Sequence, residues 1–457
     1  TIGLINRKLK EKKLLTKPRL NVVAPRGEIK LGPFKVTFIK VSHSIPDAVM
    51  LAIHTPVGTV IHTGDFKIDH TPYDGFPTDI HRLAHYGEEG VLVMTSDSTN
   101  SHSPGFTKTE KAVGPTFERI FSTSTGRVIM STFSSNIHRV AQAIEKALKH
   151  GRKICVIGRS MEKNLDIAMT LGYIKFPKDQ FIEAHEINKY TDKEVMIVTT
   201  GSQGESMSAL YRMAIHEHRH VKIKPEDQII LSAKAIPGNE GSVSEIINHL
   251  LKAGAKVAYQ DYTDIHVSGH AAQEEQKLML RLVKPKFFLP VHGEYNHALK
   301  HGETGVDCGV LERNVYVMAD GEQIEVNPKY LKKVKSVKSG KVYIDNQLNH
   351  KISDDVVIDR QTMAKEGIVM IVAQINENDR TLATKPKVAT FGFISDKQDR
   401  FFTNEIEEIL NTFLLNAKPG IFKNSRILED ELRKVVRKHC VRKYKKYPMI
   451  VPTIFVQ

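Results

Sequence analysis

A chain of 457 residues has room for about three domains and buries a core without disulfide or metal staples. Lysine and arginine (66) exceed aspartate and glutamate (52) by 14, a surplus that favours a polyanionic partner over an acidic one, with plain solubility as the other reading. Three distant cysteines (Cys155, Cys308, Cys440) and no C-x-x-C pair argue against a disulfide framework or a cysteine-held zinc and fit a reducing compartment.

No run approaches the ~20 apolar residues of a membrane span, and the opening Thr-Ile-Gly-Leu-Ile-Asn-Arg-Lys is no signal peptide. A cytoplasmic protein with no membrane partner is expected. Short β-branched runs then follow one another at Phe34 to Val41, Ala48 to His54, Thr59 to Thr63 and Val91 to Thr95, with hairpin chemistry at Thr55-Pro56-Val57-Gly58. They predict a first sheet that is at least partly antiparallel.

From about 110 to 260 strand and helix alternate. Arg127 to Phe133 precedes a helix with Ile137, Val140, Ala141, Ile144, Ala147 and Leu148 on one face, stopping at Gly151. The unit recurs at Lys153 to Ile157 (helix about Ser160 to Leu171), Val195 to Thr199 (helix near Met207 to Ile215) and Gln228 to Leu231 (helix about Ser242 to Ala253). That rhythm predicts a parallel sheet with helices on its faces, and neither G-x-G-x-x-G nor a P-loop occurs in it. Strands are expected again at Ala255 to Tyr259, Lys286 to Val291 and Val315 to Met318. Lys329 to Lys341 holds six lysines and no acid, which reads as a linker or a basic edge. The remainder mixes strands (Ile368 to Ala373, Lys387 to Phe393) with helices near Thr403 to Asn416 and Leu428 to Arg442. Arg433 to Lys446 carries eight basic residues and no acid; with Val435, Val436 and Val441 among them, a partly buried amphipathic helix is expected.

One pattern recurs: an apolar strand ends and a ligand-type residue follows. The strands lead into Ser42-His43-Ser44, Gly64-Asp65, Ser96-Asp97-Ser98 and His292-Gly293-Glu294. Strand ends converge at a sheet edge, where layered α/β proteins build sites, and imidazole with carboxylate suits divalent cations. Singly, each is more often a capping aspartate or an ordinary histidine.

These segments, with Asp264-Ile-His-Val-Ser-Gly-His270 and Pro290-Val-His-Gly-Glu-Tyr295, resemble in order the signature motifs of the ribonuclease J family, in the β-CASP branch of the metallo-β-lactamase superfamily. Thr132-Phe-Ser-Ser-Asn-Ile-His-Arg139, Gly158-Arg-Ser-Met161, Thr200-Gly-Ser-Gln-Gly-Glu205 and Pro448-Met-Ile-Val-Pro452 extend the resemblance over the whole chain. It implies an α/β fold: a metallo-β-lactamase αββα sandwich (1–109 and 263–328) interrupted by a Rossmann-like β-CASP domain (110–262), a basic linker (329–345) and a small C-terminal α+β domain (346–457).

The resemblance also implies roles. His43, Asp65 and His292 match metal ligands, Asp65 bridging a pair of Zn2+ ions, with Mn2+ as the other ion found in the family. His270 matches the donor to the leaving oxygen, with Asp97 and Asp65 as the other catalytic residues. Ser134, Ser135, Asn136, His266 and Ser268, with His270, match the pocket for a 5′-monophosphate nucleotide, and a helix N-terminus with two hydroxyls is itself a natural phosphate site. The competing reading is that Ser134 or Ser135 caps the helix. The implied activity is 5′→3′ exonucleolytic and internal cleavage of RNA in mRNA decay and rRNA maturation. Expected partners are RNA, further copies of the chain as a homodimer or homotetramer through the C-terminal domain, and a helicase or the ribosome.

One departure stands out. The family's H-x-H-x-D-H metal motif is missing upstream of His43, and His216-Glu-His-Arg-His220 reads as a polar helix end or loop, not its replacement. Thr1 then begins in mid-domain and the chain is expected to be a fragment, binding metal weakly and cleaving poorly where the full-length protein does both. The alternatives are a non-catalytic RNA-binding scaffold and a metallo-hydrolase of small esters, the latter at odds with the positive charge and the inserted α/β region.

Overall fold

The computed structural model describes residues 1–12, 18–259, 264–345, 350–422 and 424–456. They form two compact units, Thr1–Lys338 and Ser339–Gln457. The borders expected at 262/263 and 345/346 touch residues outside those described.

The first unit opens with a helix, Ile2–Lys12 (α1), and a sheet of antiparallel neighbours: β1 (Glu28–Leu31), β2 (Phe34–Lys40), β3 (Val49–Thr55) and β4 (Gly58–His62). The β3–β4 hairpin closes where Thr55 Oγ1 donates to the Gly58 carbonyl, 2.7 Å. Helix α2 (Ile80–Glu89) leads to β5 (Val93–Asp97), which joins β4 in parallel.

A second sheet interrupts the first. Helix α3 (Gly114–Thr123) precedes β6 (Val128–Ser131); then come α4 (Ile137–Lys149), β7 (Lys153–Ile157), α5 (Arg159–Thr170), β8 (Phe181–Ile182), β9 (Val195–Thr199), α6 (Ala209–Ala214), β10 (Gln228–Leu231), α7 (Glu240–Lys252) and β11 (Lys256–Ala258). All its pairings are parallel, in the order β11-β10-β6-β9-β7-β8. Side chains alternate across a strand, so Val128, Met130, Met196 and Val198 meet Phe117, Val140, Ile144 and Leu165, while Ile129 and Ile197 meet Leu210, Met213, Ile246 and Leu250. Both faces are therefore helix-covered, as the strand–helix rhythm predicts.

The chain returns through α8 (Gln273–Val283) to β12 (Phe287–Val291), which lies parallel to β5 and completes the first sheet as β1-β2-β3-β4-β5-β12; α9 (Tyr295–Asp307) follows. Leu83 and Tyr86 of α2 and Met279 and Val283 of α8 cover Ile39, Met50, Ile61 and Met94 on one face. The two helices approach so closely that a Cβ at Gly87 would fall 1.9 Å from the Leu282 carbonyl oxygen.

On the opposite face Leu92, Phe287 and Leu289 meet Tyr316, Met318 and the antiparallel hairpin β13 (Glu322–Val326) with β14 (Leu331–Ser336). Two expectations change here. Val315 to Met318 is not a strand: only Val315 makes a bridge, to Phe288, and the apolar side chains serve to cover the sheet. The linker expected over 329–345 contains a paired strand at β14, whose Lys332 and Lys333 meet Glu325 and Glu322 of β13, so the lysine run is a basic edge at that point.

In the second unit α10 (Asp354–Glu366) precedes β15 (Ile368–Asn376), which pairs antiparallel with β16 (Thr381–Leu382) and β17 (Lys387–Phe391). After α11 (Asp396–Asn416) and α12 (Ser425–Tyr444), β18 (Met449–Val456) adds in parallel along β15. Val369, Ile371 and Ile375 pack on Ile406, Leu410, Leu432 and Val436. Helix α12 buries Leu428, Leu432, Val436 and Cys440 at a four-residue repeat, so the basic run between Arg433 and Lys446 occupies the remaining faces of an amphipathic helix, as expected.

Candidate functional site

Strand direction assembles the site. Because β2 is antiparallel to β3, and β3 to β4, while β5 and β12 run parallel to β4, the carboxyl ends of β2, β4, β5 and β12 share one edge. His43, Asp65, Asp97 and His292 are delivered there, and the segment returning from the second sheet adds His270.

Their atoms converge. His43 Nε2 lies 3.8 Å from Asp65 Oδ2, and His292 Nε2 lies 3.5 Å from Asp65 Oδ1, so the two carboxylate oxygens face different imidazoles. His43 Nδ1 bonds the Gly269 carbonyl at 2.8 Å, which puts the proton on Nδ1 and leaves the Nε2 lone pair towards Asp65. Burial, partly offset by that carbonyl, keeps the His43 pKa below the ordinary histidine value. The contact also explains Gly269: a Cβ there would lie 2.7 Å from two ring atoms of His43. His292 (φ 66°) and Gly293 (φ 82°) both take left-handed backbone as β12 ends, a costly conformation for a histidine and a mark of functional sites.

His270 Nδ1 stands 2.7 Å from Asp97 Oδ2. Thr99 holds the other oxygen of Asp97 through its backbone N–H (3.0 Å) and hydroxyl (2.7 Å). Burial alone would raise the Asp97 pKa; the bond and charge of His270, with the Thr99 donors, bring it down to about 2. Burial would lower that of His270, but the hydrogen bond and charge of Asp97, then the charge of Asp65, raise it. Ligand atoms of His43, Asp65 and His270, and of Asp97, His270 and His292, form two groups within 4.8 Å. His216, His218 and His220 follow the end of α6 at Ala214, the polar helix end or loop expected for that segment.

The residues expected to form a nucleotide pocket lie between β6 and α4 and along the segment that returns from the second sheet. The cap of α4 is Asn136, whose side chain accepts from the Arg139 N–H; neither Ser134 nor Ser135 caps it. Ser134 accepts from Asn164 Nδ2 at its hydroxyl (3.0 Å) and its carbonyl (2.9 Å). Ser135 borders a small apolar cavity shared with Ile45 and Pro46, beside the His43 loop. The Ser268 hydroxyl accepts from Asn100 Nδ2 (2.8 Å) and the His270 N–H (3.1 Å) and so shapes the turn that presents His270. His266 Nδ1 lies 3.2 Å from Arg139 Nη1; burial and then the Arg139 charge drop its pKa to about 3, so the ring is neutral at pH 7.

Sequence reasoning missed the residues that tie the two edges together. Arg139, 0% exposed, bonds both oxygens of Glu110 (2.5 and 2.9 Å), Ser232 Oγ and the Val267 carbonyl. The buried Glu275 carboxylate accepts from the N–H groups of Ile68, Thr107 and Ala272. It thereby fixes the segment after Asp65, the loop after Asp97 and the residues after His270.

His301, 0% exposed, sits behind the centre with Nδ1 3.1 Å from Ser98 Oγ and its ring edge-on to Phe288. Burial lowers its pKa to about 4, below the ~6.5 of an unfolded chain. The unfolded state therefore takes the proton first on acidification, and stability present above about pH 6.5 is lost down to about pH 4, on the order of 3 kcal/mol in total. Amide exchange in β5 and β12 should reveal this loss between pH 7.5 and pH 5, and His301→Gln should shrink it. An identical pH dependence in the variant would contradict the assignment.

Residues 125–250 match the family model for the ribonuclease J β-CASP domain, 254–317 that for the Zn-dependent metallo-hydrolase RNA specificity domain, and 355–456 that for the ribonuclease J C-terminal domain. Over 99% of its length the chain is 54% identical to a ribonuclease J of Helicobacter pylori, of which it spans 65%. It is 38% identical to ribonuclease J 1 of Streptococcus pyogenes and 33% identical to ribonuclease J2 of Bacillus subtilis, again over 99% of the chain, covering 81% and 82% of those proteins.

Proposed function

The chain belongs to the ribonuclease J family, and from that premise we propose that it serves as a metal-dependent ribonuclease that removes nucleotides 5′→3′ from 5′-monophosphorylated RNA and also cuts internally, in mRNA decay and rRNA maturation. The observation that carries this reading is the convergence of His43, Asp65, His292, Asp97 and His270 at one sheet edge, joined through Arg139 and the segment 264–270 to the start of α4.

The donor set fits divalent cations. Asp65 directs one oxygen to each of two imidazoles, and the His43 tautomer leaves Nε2 as a donor atom, so His43, Asp65 and His292 would hold the ions, zinc or manganese. A bound divalent cation supplies an activated water near neutral pH and neutralises phosphate charge. The chain's own residues do the rest. His270, its pKa raised by the bond and charge of Asp97 against burial, gives its Nε2 proton to the leaving 3′ oxygen. Asp97 positions that imidazole and stabilises its charge, and Thr99 positions Asp97. Ser134, Ser135 and the start of α4, with Asn136, neutral His266 and Ser268, hold the 5′ phosphate.

The same reading divides the chain into metallo-β-lactamase (1–109, 263–328), β-CASP (110–262), linker (329–345) and C-terminal (346–457) parts. It assigns assembly as a homodimer or homotetramer to the last, allows a helicase or the ribosome as partner, and places the protein in the cytoplasm. Among the described residues no helix is long and apolar enough to cross a membrane. The test is decay of one RNA carrying a 5′ monophosphate or a 5′ triphosphate. The monophosphate form should be shortened from its 5′ end about tenfold faster or more, the worth of one charge-assisted contact; equal decay of both would overturn the 5′-end reading.

A further inference from the structure

The second sheet carries a further cleft at its carboxyl edge, beyond the ends of β7 and β9. Two segments of unassigned role meet there: Gly158-Arg-Ser-Met161 supplies Arg159 and Ser160, and Thr200 opens the run to Glu205. The loop after α6 adds Arg212, His218 and His220. Carboxyl-edge crevices of parallel sheets are where such folds bind ligands.

Charge identifies the ligand. Two of the three acidic side chains lining the cleft are engaged: Glu11 pairs with Arg7 and Lys163, and Glu162 accepts from the Gly158 N–H, while the Glu183 carboxylate makes no cap hydrogen bond. Arg159 and Arg212 make no side-chain hydrogen bond or ion pair among the described residues, and Arg212 Nε is buried without a partner. His218 is 7% exposed. Its Nδ1 accepts the backbone N–H groups of His220 (3.3 Å) and Val221 (3.2 Å), which fixes the proton on Nε2, and Nε2 has no partner among the described residues. A buried imidazole donor and two uncompensated guanidinium groups thus line one cleft; forked guanidinium donors match phosphate.

We propose that this cleft binds a phosphate group, of a free nucleotide or of the RNA backbone, at a place separate from the strand-end centre. The His216–His220 segment, which by composition could pass for a metal motif, serves an anion instead. The inference does not depend on the nuclease reading.

The test uses the whole protein in EDTA, with AMP and with a 5′-hydroxyl oligoadenylate as probes, comparing wild type with Arg159→Gln/Arg212→Gln. Loss of one class of AMP site, or its weakening about tenfold, supports the free-nucleotide source. Weaker oligonucleotide binding, with a log–log salt slope smaller by about 1–2, supports the backbone source. Both probes unchanged in a variant of unaltered melting temperature would overturn the proposal. Should the double variant misfold, exposed Arg159→Glu gives the same reading. The 5′-phosphate pocket shows separately, as an AMP class that remains after the arginines are changed; failure of that pocket would leave the variant without it.

Discussion

Replacing His270 by alanine should lower RNA cleavage by about 10²–10⁴-fold, the range for a lost general acid, with metal content and fold retained. The geometry separates this role from that of a ligand. Although His270 belongs by distance to both donor groups, its Nδ1 is occupied by Asp97 at 2.7 Å, and the raised pKa that Asp97 imposes against burial suits a proton donor. The side chain keeps 21% of its surface exposed, and the loop around it is held independently by Asn100 and Thr107, which both donate to the His270 carbonyl. The truncation lowers stability, because Asp97, 1% exposed, loses its partner and keeps only the Thr99 donors, but the Asn100 and Thr107 contacts hold the loop in place. Single-turnover cleavage with metal analysis checks it: an unchanged rate would remove His270 from the chemistry, and loss of metal together with activity would make it a ligand.

The part of the site that lies at strand ends was legible in the sequence, because apolar runs of period two announce a strand and the first polar residue after each run announces its end. What pairs at long range was not. The pattern places a strand at Val91 to Thr95, yet it starts at Val93 and reaches Asp97, because Ser96 and Asp97 pair with Pro290 and Val291 of β12. No local signal encodes a partner so distant. The choice of Asn136 over the serines as the α4 cap follows from which side-chain oxygen reaches the Arg139 N–H, a question of one residue's register. Nothing local marks Glu275 or Glu110, and only the folded chain shows three N–H groups converging on the first and a buried guanidinium on the second. Lysines 332 and 333 read as linker or basic edge alike until Glu325 and Glu322 lie opposite.

The central claim is that Asp65 is the shared carboxylate of a metal centre that cleaves RNA. Among the described residues it is the one carboxylate facing both His43 and His292. Removing it leaves isolated imidazoles, further still below the three protein ligands usual for a catalytic zinc, and withdraws the charge that a bridging ligand supplies. Cleavage should then fall on the order of 10³-fold, comparable to losing a principal electrostatic group, and metal should leave with it. The most direct measurement is metal bound per chain and RNA cleavage rate, taken together on the protein as its cell makes it and on the same protein with Asp65→Ala. The account predicts that the variant loses both bound metal and cleavage; a variant that keeps its metal and cleaves at the original rate would contradict it.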